Sequence, residues 1–367
     1  MTVTQVPPVS ATAQERQALR EAVAALMADR CTEADVRRAM ATAEGHDSQV
    51  WAQLAQLGLQ GLTIPVEYGG AGSSFEELEV VLEELGRALY PGPFLATTLA
   101  TAALLAAEDE VVATRHLPAI AAGELLATVA VEQPAHGQLP APQVTFASGH
   151  LSGVVPYVLD GHVAQLLLVA AHDDAGLALY AVEPGAAGVT TELLSTTDQT
   201  RRLAKVTFAR TPAQRIGGAD LVERVLSVGA AALAAEQVGG AEAAMASAVA
   251  YARVRTQFGR AIGSFQSIKH LCADMFLAVE SGKAAARRAA REVATDGPEL
   301  AVLASIAKTW CSDTYVSAAS TSLQIHGGIG FTWEHSAHLH LKRAKTDELL
   351  FGDARHHRAR LADVFGV

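Results

Sequence analysis

The chain of 367 residues has little cysteine, few aromatic residues and little charge. Its three cysteines, Cys31, Cys272 and Cys311, lie far apart with no C-x-x-C pair. That excludes a disulfide framework and a thiolate zinc site, and it reads most simply as thiols in a reducing cytoplasm. Only 18% of residues are charged, and the balance is acidic, with a formal net charge of -11 and no basic block. Clustered Lys and Arg, which a nucleic-acid surface needs, are missing. Long apolar runs are missing too. The most apolar stretches, 166–171 and 225–235, are too short or too rich in Ala and Gly for a bilayer span of roughly 20 apolar residues. The N-terminus lacks the basic start and apolar run of a signal peptide. These absences point to a soluble cytoplasmic protein with neither nucleic acid nor membrane as partner.

What is abundant is alanine, at 73 residues, within a chain that is half hydrophobic. Ala is the best helix former and suits close-packed helices, and the apolar content argues against disorder. The length allows two or three domains. Residues 1–124 read as helical. Thr12 and Glu15 have capping-box spacing, as do Ser73 and Glu76. Val50, Trp51, Leu54 and Leu57 share one helix face, and Leu78, Val81, Leu82 and Leu85 another. In 125–216 the helical period gives way to short β-type runs separated by turn residues: 127–132, 143–148, 151–159, 164–171, 177–183, 188–193 and 203–209. Residues 217–367 return to helix over about 219–255, 264–295, 299–326 and 335–364, the last with breaks. The expected fold is mainly α with a central antiparallel β module, a small sandwich or a β-barrel, ending in a four-helix bundle. Gly239-Gly240 weakens the first long helix locally and permits close helix contact.

Two segments carry chemistry. At 251–259, YARVRTQFG places Arg253 and Arg255 beside a glycine turn. A guanidinium fork suits a pyrophosphate, and Phe258 suits a planar ring, although a solvated Arg face fits the same residues. At 324–332, QIHGGIGFT has Gly327, Gly328 and Gly330, which let backbone N–H groups approach a ligand or close a helix. Neither a Walker lysine nor a G-x-G-x-x-G is present. His335, His338 and His340 are metal-ligand types, but on a helix only the first two share a face, so a helix surface is the reading and no metal is expected. His356-His357, between Arg355 and Arg358, reads as a positive helix face.

Together these segments resemble the acyl-CoA dehydrogenase family over almost the whole chain. LTIPVEYGGAG at 62–72 and EELGR at 83–87 are similar to its N-terminal signature, YARVRTQFGRAIGSFQSIKHLCADM at 251–275 to its C-terminal one, and QIHGGIGFT to its late flavin loop. The resemblance implies FAD bound across a subunit interface. Arg255, Gln257 and Phe258 would contact FAD lying mainly in the neighbouring subunit, with Gln266 and His270 beside them. Gln324, Gly327 and Gly328 would approach the adenosine and pyrophosphate end. It also implies an acyl-CoA substrate, electron-transfer flavoprotein as acceptor and a homo- or hetero-oligomer.

The chemistry so implied needs a carboxylate base, and here the sequence departs from the pattern. The commonest base position falls on Phe351, and the second known position on Gly229. Glu236, Glu348 and Asp353 lie near and are read first as structural residues, so the catalytic base is left unassigned. The family's Trp-x-Ser/Thr element corresponds to Val155-Pro-Tyr-Val-Leu-Asp-Gly161, and its acidic loop is reduced at 133–138. The Asp198-Gln-Thr-Arg201 stretch resembles a degenerate-barrel subgroup whose members resemble subunits of sterol-degrading heterotetramers. Two readings follow: an FAD-dependent acyl-CoA dehydrogenase, alone or as one subunit of a complex, and a non-catalytic partner of the same fold that completes another chain's site. A flavin oxidase or monooxygenase on this fold is a third. The acyl group is not legible.

Overall fold

A computed structural model describes residues 11–107, 109–132 and 143–367. The first layer is helical: α1 (Ala13–Arg30), α2 (Glu33–Met40), α3 (Ser48–Gln56), α4 (Phe75–Arg87), α5 (Phe94–Leu105) and α6 (Glu110–Ala121). Thr12 and Glu15 form the expected capping box on α1. The box on α4 sits one residue later than the spacing suggests, on Ser74 and Glu77. The Ser73 N–H is engaged by the Leu62 carbonyl at 2.9 Å, which keeps Ser73 in the preceding glycine-rich loop. Val50, Trp51 and Leu54 are buried as expected. Leu57 is 49% exposed, because the helix has already ended there.

All seven β-type runs form strands: β1 (Ala127–Ala130), β2 (Val144–Ala147), β3 (His150–Leu159), β4 (Leu166–Asp173), β5 (Gly176–Val182), β6 (Val189–Leu193) and β7 (Leu203–Pro212). β8 (Gln214–Gly218) follows. Among the described residues the sheet is an open path, β6-β7-β3-β2-β4-β5-β8, with β1 also on β4. It is therefore neither a closed barrel nor wholly antiparallel, since β1 and β2 both run parallel to β4. Alternation in sequence marks which faces are buried and leaves the pairing partner open. The β2–β3 hairpin gives the crossover length that a parallel β1–β4 pair requires. β4 shows why its apolar run is continuous. Leu167, Val169 and Ala171 face the sheet's own core, while Leu166, Leu168 and Ala170 join the core shared with the helices.

The last layer is a bundle of α7 (Ala219–Val254), α8 (Gln266–Ala294), α9 (Leu300–His326) and α10 (Ala337–Leu349), with α11 (Ala354–Phe365) packed on α9. Between α7 and α8 the chain makes a small hairpin, β9 (Thr256–Gln257) with β10 (Arg260–Ala261). Ala241, Ala244, Ala248 and Ala252 form the small-residue stripe of α7 toward α8 and α9. Glycine is used where α4 crosses α7. A Cβ on Gly239 would stand 1.8 Å from the Glu83 carbonyl oxygen, and one on Gly86 2.0 Å from that of Glu236. The two backbones touch, and this contact fixes where Glu236 sits. Gly239→Ala should therefore force the crossing apart and cost about 3 kcal/mol, measured as a lowered unfolding midpoint in urea with an unchanged m-value.

Candidate functional site

Most of the residues implicated in flavin contact lie at one end of the bundle. Arg255 caps the C-terminus of α7, Gln257 belongs to β9, and Gln266 and His270 lie on the first turns of α8. Gln324 is in the last turn of α9, followed by Gly327 at φ 62° and Gly328. The ends of α7 and α9 are joined by Tyr251 packed on His326, with ring centroids 4.6 Å apart. Arg255, Gln257, Gln266, His270 and Gln324 are exposed. Phe258 stands at the hairpin tip, 92% exposed and at φ 51°, edge-on to Phe265. Arg260 covers the Phe265 ring at 4.1 Å. Among the described residues Arg255 pairs with no carboxylate. A Cβ on Gly327 or Gly328 would meet nothing within 4 Å, so this backbone is an open cradle. An exposed guanidinium, an open glycine turn and an unshielded ring fit the pyrophosphate and planar parts of a dinucleotide such as FAD.

The two base positions lie elsewhere. At about 1.5 Å per residue, Gly229 is roughly 39 Å from Arg255 along α7. An added Cβ at Gly229 would stand 3.2 Å from Phe351 Cδ1 and 3.1 Å from Leu99 Cδ2. Thus the two positions to which the resemblance assigns the carboxylate, Gly229 and Phe351, converge in space, and an aromatic ring fills the spot. Leu159, in β3, stands near the end of the stretch that replaces the Trp-x-Ser/Thr element and is buried, whereas Tyr157, at a ladder irregularity after Pro156, is 54% exposed. Pro cannot donate to a ladder, which explains the irregularity. The reduced loop at 133–138 lies outside the described residues.

Each of the three nearby carboxylates has a partner of its own. Glu236 is clamped between Arg201 and Arg343, the latter at 2.5 Å. Glu348 pairs with Lys345 at 2.8 Å, and Asp353 caps α11 through the His356 N–H at 2.7 Å. Around Glu236 lies a buried cluster. Arg343 donates to Thr200 Oγ1 at 2.9 Å, to the Thr200 carbonyl at 2.8 Å and to the Tyr90 carbonyl at 3.2 Å, with Asp198 at 3.5 Å. Arg201 Nε lies 2.9 Å from Asp347. Burial pushes the Asp347 and Asp160 carboxyls up to about 7, opposed by the arginines.

Lys308 was not marked out by the sequence. The signal was available: a lysine on the α9 face that also carries Ala304 and Cys311, both buried. Its ammonium donates to Ser312 Oγ at 2.9 Å, the Gly352 carbonyl at 3.0 Å and the Glu348 carbonyl at 3.2 Å. Burial lowers it to about 8. His356 and His357 are likewise buried, contrary to a positive surface face. The His357 Nε2–H donates to the Phe351 carbonyl at 3.0 Å, and Nδ1 lies 3.1 Å from Ser305 Oγ. His338 packs edge-on to Trp333, and His340 Nδ1 lies 3.1 Å from the Tyr315 hydroxyl, so these two face different neighbours. No helix among the described residues is long and apolar enough to cross a membrane.

Sequence profiles of the acyl-CoA dehydrogenase N-terminal and C-terminal domains match residues 13–124 and 217–365. The chain belongs to the acyl-CoA dehydrogenase family, FAD-dependent oxidoreductases acting on CH–CH bonds of acyl-CoA thioesters. It is 34% identical to acyl-CoA dehydrogenase IpdE2 of Mycobacterium tuberculosis over 95% of this chain and 96% of that protein. It is 36% identical to acyl-CoA dehydrogenase IpdE2 of Mycolicibacterium smegmatis over 96% of this chain and 99% of that one. Among solved structures, a variant of the Tcur3481–Tcur3483 steroid ACAD has a TM-score of 0.90 at 29% identity, covering 96% of this chain and 98% of that one. The ChsE4–ChsE5 complex from Mycobacterium tuberculosis gives 0.90 at 26% identity, covering 97% and 98%.

Two outcomes test this account of the buried groups. Arg343→Met leaves Glu236 and Asp198 short of a cation and should cost about 3–5 kcal/mol in urea unfolding. Burial, and then the nearby Lys308 charge, hold His357 down to about 3. The unfolded chain therefore binds a proton that the native chain excludes below the ordinary histidine range of about 6.5. That stability contribution is complete above this range and is lost as pH falls toward 3. Thermal melts from pH 7 to 4 should fall less steeply for His357→Asn than for the unaltered chain.

Proposed function

We propose that the chain is a subunit of a heteromeric FAD-dependent acyl-CoA dehydrogenase in which a second, homologous chain supplies the base. The observation that carries this reading is the meeting of Gly229 with Phe351. Bound FAD supplies the hydride acceptor for the β hydrogen of an acyl-CoA thioester, and the α proton goes to the other chain's carboxylate. This chain's residues bind and orient. Arg255 and Gln257 present donors to the pyrophosphate, Phe258 offers a ring face, and Gln324 with the Gly327-Gly328 backbone receives the adenosine end. Gln266 and His270 flank the hairpin. The roughly 39 Å between Arg255 and Gly229 supports a hairpin that serves a neighbour's flavin. The heteromeric steroid enzymes among the similar structures support the assembly. We take the divisions as 1–124, 125–216 and 217–367. Electron-transfer flavoprotein is the acceptor this chemistry calls for, and the three free thiols support a cytoplasmic setting.

The test is flavin content. Purified alone, the chain should be colourless and inactive. Co-expressed with a second acyl-CoA dehydrogenase chain, it should co-purify with a visible flavin band that an acyl-CoA bleaches. Arg255→Met should weaken flavin retention by about tenfold, the loss of one charge-assisted hydrogen bond. A lone chain that holds FAD and is bleached by an acyl-CoA overturns the reading.

A further inference from the structure

The segment carrying Phe351 is held with more force than a core side chain needs. Phe351 is 4% exposed yet sits at φ 57°, a region a bulky residue rarely occupies. Two side chains hold it there. All three N–H bonds of a fully buried ammonium, Lys308, are committed, two of them to the Glu348 and Gly352 carbonyls that bracket the segment. The neutral His357 ring donates to the Phe351 carbonyl itself. On the receiving side, α7 offers Gly229, so the ring lies against bare helix backbone and Leu99. The small cleft beside it is lined by Leu226, Ala230 and Ala304 together with Ser227, Ser305 and His357. An apolar filler could have come from any of these helices without a positive φ or a buried cation.

We propose that Phe351 is a plug: the segment 350–352, latched by Lys308 and His357, fills an apolar pocket between α5, α7 and α9 whose natural ligand class is the acyl part of a CoA thioester. The proposal rests on the heteromer reading and sharpens it. This chain's own acyl site is present but shut, and the acyl group goes to the other chain alone.

The test uses the full purified chain, with hexanoyl-CoA and free CoA as probes in equilibrium dialysis. In the unaltered chain the two should bind equally. Phe351→Ala should bind hexanoyl-CoA about tenfold more tightly than CoA, since two buried methylenes already supply that factor. Lys308→Met, which frees the latch but keeps the ring, should raise the same ratio by a smaller factor. Val279→Ala, a hole in the distant bundle core, should leave the ratio at one. Should Phe351→Ala fail to fold, Phe351→Leu decides, with a ratio above one expected. Acyl-dependent binding in the unaltered chain overturns the plug, as does a Phe351 variant that behaves like Val279→Ala. Neither result touches the flavin test of the heteromer, so the two readings fail separately.

Discussion

Arg343 is the side chain on which the three layers depend. Its guanidinium reaches Tyr90 from the first helical layer, Thr200 and Asp198 from the β-layer and Glu236 on α7. A lysine could not do this, because a planar fork of five donors is needed to satisfy acceptors in several directions. Arg201 repeats the device between Glu236 and Asp347. Two arginines facing Asp160, Asp198, Glu236 and Asp347 leave an excess of acid, and burial raises Asp160 and Asp347 to about 7. A carboxylate inside such a cluster is committed to holding the layers together. Glu236, near though it is to Gly229 in sequence, is held in this way by two arginines.

The N-terminal signature acquires a physical meaning from the same region. Within EELGR, Glu83 and Glu84 each pair with Arg20 and Arg87, and Gly86 lets α4 touch α7 beside Glu236. The signature therefore describes a helix crossing. The C-terminal signature differs in kind: its hairpin is solvent-facing and its tip holds a strained, exposed phenylalanine with no fold of its own to support. An exposed aromatic at positive φ is costly in an isolated chain and makes sense where a ligand or another chain covers it.

Much of the fold was legible, and the failures share a cause. Period and turn chemistry located the seven strands and the long helices, because those signals are local. α2 and β8 are brief, at eight and five residues, and offer few turns in which to read a period, while α6 carries Pro118 in its interior, a residue that reads as a helix stop. The parallel placement of β1 beside β4 is a long-range choice that alternation does not encode. Ser73 and Ser74 are equivalent caps until the Leu62 carbonyl takes one of them. At the site, the hairpin, the glycine turn and position 229 all come from the family resemblance. Lys308, His356 and His357 were misjudged or passed over because charge in sequence suggests solvent. Their burial depends on α11 folding back over α9, which no short window contains.

Symmetry completes the argument. If two copies of this chain alone exchanged hairpins, each would present Arg255 and Phe258 to a partner whose base positions are Gly229 and Phe351. Both sites would have flavin contacts and neither a proton acceptor, since two-fold symmetry repeats every deficiency along with every contact. The chemistry of the family needs both in one site. On the reading proposed above, a chain that keeps the lending edge while filling its own base position with a ring works beside a second chain that is not identical to it. The acidic balance fits as well: a net charge of -11 leaves Arg253, Arg255, Arg260 and Lys269 around one hairpin as a local cationic exception, aimed where an anionic dinucleotide of another chain would lie.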